Sequence, residues 1–397
     1  MSAEAGAGLG ARVAAYLLAS IPLRLSVSGA GVALAVLAVE ETDSVALGGA
    51  LIAALLAPSV VLAPLAGVAL DRSRAPRVLV FGGALGTAVA LAIAGLLGIL
   101  PTWVVVISLL VAGCCTPAFS GGLSSFAADV VPGHERAFAS DTLSYNIAGV
   151  AGPGLAALAM AAGSGRLALE LLAVIAAAGA VGVLLLKLPA RPVPDEPSSV
   201  VGDVGRGMRH LVSHRPLALS TLSGTLTQLG GGALPIAAVA LASERARTVA
   251  DAGWIMTAFS IGGLVSALVS AWRPVRRWAP HTVMLGSFAA TGGFTVVSAF
   301  APNYTLTLIA MGLAGLFTAP GVAAMLTIRQ RESPPTVRSQ VFTVGAGLRG
   351  SAAAAGAAIA GGLGLIGAVP LTVLVGAVWI ASAAILLLPR GISEAYE

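Results

Sequence analysis

Charged residues are scarce in this sequence. Asp, Glu, Lys and Arg make up 10% of its 397 residues, whereas a soluble domain carries roughly 25%. So few charges cannot cover a water-exposed surface, and 57% of the residues are hydrophobic. Apolar runs recur that exceed the roughly 20 residues a helix needs to cross the hydrocarbon of a bilayer. We therefore predict an integral membrane protein.

The alternation typical of a transmembrane β-barrel is also absent. Such a barrel shows segments of about ten residues that alternate between apolar and polar. Here stretches such as 46–70 are apolar on all sides. The spanning segments are therefore expected to be helices.

The sequence offers little chemistry for an enzyme. Its two cysteines, Cys114 and Cys115, are adjacent in an apolar run and have neither a disulfide pattern nor metal-ligand spacing. Lys187 is the single lysine, and the absence of a Gly-x-x-x-x-Gly-Lys loop excludes ATP hydrolysis. The histidines fall in or beside loops expected to be cytoplasmic: His134, His210, His214 and His281. We expect no catalysis, no cofactor and no metal.

The apolar runs predict twelve spanning helices in an all-α membrane protein. Their approximate ranges are 12–38, 45–70, 78–99, 102–128, 138–162, 167–188, 216–242, 250–272, 281–300, 303–328, 337–363 and 367–389. A polar, proline-rich stretch divides them into two sets of six. The expected domains are a six-helix bundle at 1–188, a cytoplasmic linker at 189–215 and a second bundle at 216–397.

The linker contains a segment with an apolar face. The residues on that face are Val201, Val204, Met208, Leu211 and Val212, while Arg206, Arg209 and His210 lie off it. This pattern predicts an amphipathic helix on the membrane surface. A solvated linker is the alternative.

The basic residues predict the orientation. Of 22 Lys and Arg residues, seventeen fall on the side of the N-terminus, three on the other side, and Arg24 and Arg349 lie inside spans. Because basic residues accumulate in cytoplasmic loops, both termini are expected in the cytoplasm, with the chain in the inner membrane. The net charge of +5 thus reflects topology and does not indicate nucleic-acid binding.

The two halves repeat short patterns at a constant offset of 202 residues. Ala112-Gly113 and Thr116 recur as Ala314-Gly315 and Thr318, and the loop residues Pro132 and Arg136 recur as Pro334 and Arg338. The offset predicts two bundles related by a parallel internal repeat.

Two motifs resemble a known family. The loop Gly67–Arg77, GVALDRSRAPR, resembles the signature between the second and third helices of the major facilitator superfamily, although Arg74-Ala75 replaces the family's Gly-Arg. In the fifth span, a glycine–proline cluster resembles the antiporter signature of drug-exporting branches: Gly149, Gly152, Pro153 and Gly154. The run from Asp129 into this cluster looks like the macrolide-type and siderophore-type exporters. Helix packing alone is the alternative reading of the glycines and proline.

Arg24 and Arg349 lie about halfway along the first and eleventh spans, where an arginine costs about 2.5 to 3.5 kcal/mol. We expect each to hold a carboxylate or phosphate-like group of the substrate. The alternative is that each guanidinium is bonded to backbone carbonyls or to a distant acid.

Polar residues at helical spacing predict the walls of a substrate cavity. Tyr16, Ser20, Arg24 and Ser28 recur every four residues and form one stripe, which we expect to face a water-filled cavity. Thr225 and Gln228 of the seventh span are expected to line the opposite wall.

Proton coupling, which the resemblance implies, requires a titratable group, and no acid lies in the middle of a span. Asp141, near the inner end of the fifth span, is the first candidate, and Glu170, near the outer end of the sixth, is the second. Capping or interface roles are the alternative for both.

A cytoplasmic gate is expected at loop charges of opposite sign. The first half carries Asp71 and Asp129 where the second carries Arg273 and Arg331. We expect Asp71 to pair with Arg331 or Arg338, and Arg273 with Asp129 or Glu135; the first loop also contributes Gly67, Arg72 and Arg77. A purely topological role is the alternative.

The sequence therefore predicts a monomeric secondary transporter that works by alternating access and exports small amphipathic compounds or drugs against a proton gradient. Its expected partners are a small-molecule substrate, protons and the lipid bilayer, without nucleic acid. One alternative is an importer or facilitator of a small anionic metabolite. The other is a membrane receptor or scaffold that transports nothing.

Overall fold

The computed structural model describes residues 2–190, 200–245, 248–272, 278–333 and 338–388, and most of these are helical. The chain divides into two compact units, Met1–Pro197 and Ser198–Glu397, here called unit 1 and unit 2. The prediction of an all-α membrane protein built from two six-helix bundles is confirmed.

Unit 1 contains six spanning segments, the fourth of which is broken twice. Its helices are α1 (Ser2–Thr42), α2 (Val45–Arg72), α3 (Pro76–Ala94), α4 (Thr102–Phe119), α5 (Gly121–Ser125), α6 (Ala127–Val130), α7 (His134–Ala162) and α8 (Gly165–Leu184).

Unit 2 repeats this order after one additional helix. Its helices are α9 (Val200–Ser213), α10 (Arg215–Arg245), α11 (Ala252–Trp272), α12 (Pro280–Ala299), α13 (Tyr304–Leu316), α14 (Thr318–Arg331), α15 (Arg338–Gly362) and α16 (Ala368–Ile385). The single spans predicted at 102–128 and 303–328 are therefore interrupted, the first at Ser120 and Phe126 and the second at Phe317.

Eleven helical stretches in the described residues are long and apolar enough to cross a membrane. The twelfth predicted span corresponds to α15, which has the length of a span at 25 residues but is not among the eleven. Arg338 and Arg349 both lie in this helix.

Equivalent helices have equivalent neighbours in the two units. In unit 1, α1 packs on α7 and α8, α2 on α4, and α3 on α4 and α8. In unit 2, α10 packs on α15 and α16, α11 on α13, and α12 on α13 and α16. The same pairing at corresponding places in the chain is what an internal repeat requires.

The repeated glycines lie at equivalent helix crossings. A Cβ added to Gly113 of α4 would lie 2.6 Å from the carbonyl oxygen of Leu55 in α2. A Cβ added to Gly315 of α13 would collide with the carbonyl oxygen of Phe259 in α11. Small residues let membrane helices approach closely, so the 202-residue offset identifies two matching close contacts.

An acidic residue at the end of the first spanning helix caps the last helix in each unit. Glu40 accepts a hydrogen bond from the backbone N–H of Gly165 at 2.8 Å, at the start of α8. Glu244 accepts one from the N–H of Ala368 at 2.9 Å, at the start of α16. Helix N-termini carry unsatisfied N–H groups and favour negative charge, so both carboxylates stabilise the last helix of their unit.

The predicted linker helix exists as α9, whereas residues 191–199 lie outside the described residues. On its predicted apolar face, Leu211 is buried and packs against Leu217, Val341 and Val344. Met208 and Val212 of the same face are exposed. Leu211 therefore docks α9 onto α10 and α15 of unit 2.

Candidate functional site

The polar stripe of α1 points largely into the packed interior of unit 1. Tyr16 and Ser20 are fully buried and Arg24 is nearly so, while Ser28 is exposed. The expectation that the whole stripe faces a water-filled cavity therefore needs correction. Polar groups of neighbouring helices bond Tyr16 and Arg24 of this stripe, whereas the buried Ser20 hydroxyl has no hydrogen-bond partner among the described residues.

Arg24 is bonded to an acid, Asp141 of α7. The Nη2 atom of Arg24 lies 2.6 Å from Asp141 Oδ1, with side-chain exposures of 3% and 15%. The alternative of a distant acid partner describes Arg24 better than an open substrate contact. Because the pair is largely buried, each charge depends on the other for its stabilisation.

Further groups hold the guanidinium in place. Nη1 donates to the backbone oxygen of Asp141 at 3.0 Å and to the Ser144 hydroxyl. Nη2 donates to the Ser120 carbonyl at 3.2 Å and to Ser124 Oγ at 2.9 Å. The guanidinium carbon also lies 3.6 Å from the centre of the Tyr145 ring, a cation–π contact. Arg24 is thus fixed by contacts from α5, α7 and the break before α5.

The Asp141 carboxylate accepts from three donors on two helices, α1 and α5. Besides Arg24, the Tyr16 hydroxyl donates to its Oδ1 at 2.5 Å and the Ser124 hydroxyl at 3.1 Å. These three donors all bond the same carboxylate oxygen, and the side chain of Asp141 keeps 15% of its area exposed.

Two local features bring these residues together. A Cβ on Gly152 of α7 would lie 2.7 Å from the Leu25 carbonyl oxygen, and one on Gly29 would lie 2.7 Å from the Gly152 carbonyl oxygen. This close crossing presses α7 against α1, one to two turns from Arg24. The break at Ser120 also leaves a carbonyl that accepts from Arg24, Ser124 and Tyr145.

Other predicted residues of unit 1 lie apart from this Arg24–Asp141 cluster. Gly149 is exposed with open space beside it, Pro153 is buried within α7 and Gly154 is half-buried. Glu170, the second candidate for proton coupling, is exposed on α8. Of the two acids, the structure brings only Asp141 to the polar stripe.

The predicted unit 2 residues have simple local environments. Thr225 donates to the backbone oxygen of Thr221 in its own helix at 2.8 Å, and Gln228 is half-buried. Neither belongs to the Arg24–Asp141 cluster, which consists of unit 1 residues.

Arg349 has a neighbour that sequence reasoning missed. Arg329, counted as a loop residue by the predicted end of the tenth span at 328, is 2% exposed and lies within electrostatic range of Arg349. The sequence did contain a signal for this burial, because Arg329 lies only one residue beyond the predicted apolar span. Among the described residues, no group of three or more His, Cys, Asp or Glu side chains could hold a metal ion.

The predicted gate is described only in part. Gly67, Arg77, Asp129 and Arg331 are exposed, and Arg77 donates to the Leu184 carbonyl at 3.3 Å. The other residues predicted for the gate lie outside the described residues: Arg273 entirely, and Asp71, Arg72, Glu135 and Arg338 by their side chains. The gate pairs remain a prediction.

Similarity to known proteins agrees with this architecture. Residues 16–229 match the Major Facilitator Superfamily. The MFS-type transporter y4rN of Sinorhizobium fredii is 28% identical over 355 residues, covering 87% of this chain and 86% of that protein. The enterobactin exporter EntS of Salmonella choleraesuis is 30% identical over 201 residues, covering 48% of this chain and 46% of the exporter.

Solved structures share the fold at low identity. The nucleoside transporter NupG superposes with a TM-score of 0.71 at 15% identity, covering 94% of this chain and 98% of its own. The peptide transporter POT in complex with sulfate gives 0.72 at 14% identity, covering 95% and 93%. Because the family match spans more than half of the sequence and the fold repeats a six-helix architecture, this chain belongs to the major facilitator superfamily.

Proposed function

We propose that this chain is a secondary active transporter that exports small amphipathic compounds in exchange for protons. Membership of a transporter family supports transport, and the similarity to an enterobactin exporter over about half the chain supports export. The observation that carries the coupling is the buried Arg24–Asp141 pair with Tyr16 bonded to the same carboxylate.

In this proposal Asp141 is the proton carrier. While it is ionised, it binds Arg24 and accepts from Tyr16 and Ser124. A proton from water that adds to its carboxylate removes the negative charge that compensates Arg24. The arginine then requires another anion or water, so α1 and α7 no longer hold each other in the same way. Release of the proton restores the pair.

Alternating access converts this local change into transport. Both termini lie in the cytoplasm in this proposal, as the distribution of basic residues suggests, and the chain lies in the inner membrane. The gate pairs predicted for Asp71 and Arg273 lock the cytoplasmic side. Individual exposed pairs contribute only about 0 to 1 kcal/mol, which suits contacts that break in every cycle.

The test is substrate-dependent proton movement in proteoliposomes of known orientation. Ethidium and enterobactin serve as two chemically different test compounds, and a pH-sensitive dye reports protons. We expect compound efflux to acidify the cytoplasmic-equivalent side, and Asp141→Asn to abolish the proton signal. Glu41→Gln is the matched control, because Glu41 also pairs with an arginine, Arg166 at 2.8 Å, but on the exposed surface.

Two outcomes would contradict the proposal. Proton movement by Asp141→Asn at the wild-type rate would remove the assigned carrier. Absence of flux for every compound in the wild type would favour a receptor or scaffold. A specific observation favours a second candidate, an importer or facilitator of a small anionic metabolite: the buried Arg329 lies close to the half-buried Arg349. The direction of flux in the same vesicles separates it from an exporter.

A further inference from the structure

Arg329 is a large, charged and buried side chain of unit 2. It lies in α14, two residues before the end of that helix, and is 2% exposed. A guanidinium cannot shed its charge under ordinary conditions, so an enclosed arginine needs a compensating anion or a full set of acceptors.

Neither requirement is met within the described part of the chain. The Nε and Nη2 atoms of Arg329 are buried and have no hydrogen-bond partner, and the Nε atom of Arg349 is in the same state. No carboxylate of the described residues pairs with either guanidinium. The Nε atom of Arg24 is also unpaired, but its two Nη atoms are bonded to an acid, two hydroxyls and two carbonyls in unit 1.

The two arginines converge across α14 and α15. A Cβ added to Gly345 would lie 2.7 Å from both Cζ and Nη1 of Arg329, so the guanidinium rests directly on α15 at that glycine. Gly345 and Arg349 are four residues apart and therefore share one face of α15. Arg329 thus lies one helical turn from the base of Arg349, and the two like charges repel.

We propose that Arg329 and Arg349 form a binding site for an oxyanion, a carboxylate or phosphate group. Two guanidinium groups that no acid of the described residues pairs with have positive charge and unpaired N–H donors, and planar guanidinium matches the geometry of these anions. An oxyanion between them satisfies the unpaired donors and relieves the repulsion. Both arginines belong to unit 2, and the proposed anion binding is independent of the direction of transport. It therefore goes beyond the proposed export and does not depend on Asp141.

Direct binding tests the site without any transport measurement. The full-length protein, purified in an uncharged detergent, is titrated with inorganic phosphate and separately with acetate, while chloride keeps the ionic strength constant. Calorimetry gives the affinity and thermal unfolding gives the shift in midpoint. We expect at least a tenfold loss of affinity in Arg329→Gln and in Arg349→Gln. Arg209→Gln removes one exposed charge of α9 in the same unit and is expected to bind like the wild type.

A third variant changes the site without changing its charge. Gly345→Ala places a methyl group where the Arg329 guanidinium lies, while alanine favours the helix. We expect weaker phosphate binding with no loss of α15. Without anion, Arg329→Gln is expected to unfold at the same or a higher temperature than the wild type, since it removes an uncompensated buried charge.

The results that would overturn the site are specific. Phosphate binding by Arg329→Gln at wild-type affinity, or no preference of the wild type for phosphate or acetate over chloride, contradicts it. A clear destabilisation of anion-free Arg329→Gln would show that protein groups already compensate the charge and would equally contradict it.

Nanodiscs identify the source of the anion. In discs of phosphatidylcholine alone, free phosphate is expected to bind. Phosphatidylglycerol is then added to the discs. If it abolishes the phosphate binding that depends on Arg329, the site takes a lipid headgroup. If phosphate still binds with the same affinity, the site takes a soluble anion. Both results support an oxyanion site, and neither depends on whether export or proton coupling is found.

Discussion

Asp141→Asn tests whether Arg24 and Asp141, the buried ion pair of unit 1, stabilise each other in the folded protein. Asparagine keeps an oxygen that can accept from Tyr16 and Ser124, which bond Asp141 at 2.5 and 3.1 Å. It removes the charge that compensates Arg24. The variant therefore isolates the electrostatic contribution from the hydrogen bonds around it.

The expected magnitude follows from burial and from the contacts that survive. Removing one partner of a buried ion pair costs about 3 to 5 kcal/mol, because the other charge is left uncompensated. Arg24 retains its bonds to Ser120, Ser124 and Ser144 and its contact with the Tyr145 ring. We therefore expect the lower end, a loss of about 3 kcal/mol in the free energy of unfolding.

A double-mutant cycle supplies the measurement. Reversible unfolding of the detergent-solubilised protein is compared for wild type, Asp141→Asn, Arg24→Gln and the double variant. We expect the double variant to be more stable than the sum of the single losses predicts, with a coupling energy of about 2 kcal/mol.

An exposed ion pair provides the matched control. Glu41 and Arg166 also join α1 to a distant helix, at 2.8 Å, but each side chain is 30% exposed. Their coupling is expected at about 0.2 to 1 kcal/mol. Equal coupling in the two cycles, or additive losses for Arg24 and Asp141, would refute the reasoning that burial makes this pair interdependent.

Two further predictions concern the same region. Tyr16→Phe removes the 2.5 Å hydrogen bond to Asp141 and should cost about 1.5 to 3 kcal/mol in the free energy of unfolding. A variant as stable as the wild type would show that this hydrogen bond does not stabilise the cluster. Gly152→Ala places a Cβ 2.7 Å from the Leu25 carbonyl oxygen and should destabilise the protein by about 1 to 3 kcal/mol. Gly149 has open space beside it, so Gly149→Ala should be neutral or stabilising. Similar stabilities of the two variants would argue against a tight α1–α7 crossing.

The family motifs could be recognised from short stretches of sequence, but the contacts that their residues make could not be predicted from them. The glycine–proline pattern of the fifth span pointed to an exporter signature, and the structure adds that Gly152 sits at the crossing of α1 and α7. Gly149, three residues earlier, faces open space. Both residues look alike in the sequence, since which face of a helix meets a neighbour depends on how the bundle packs.

The two candidate acids illustrate the same limit. Asp141 and Glu170 both lie near the end of a span, and sequence position alone ranked them closely. In the folded unit Asp141 faces Arg24, 117 residues away in the chain, whereas Glu170 is exposed. The partner of a buried charge is decided by helix contacts, which periodicity does not encode.

The sequence by itself determined that this chain spans a membrane as helices, that its halves repeat and that it resembles one transporter family. The first follows from local composition, because a spanning helix satisfies its own backbone hydrogen bonds and needs only a long apolar run. The repeat and the resemblance follow from short motifs and their spacing. Tertiary structure alone decided that Arg24 pairs with an acid, and that within the described part of the chain buried N–H donors of Arg329 and Arg349 are unpaired. That difference depends on which side chains from distant segments converge in a medium where an unpaired charge is costly.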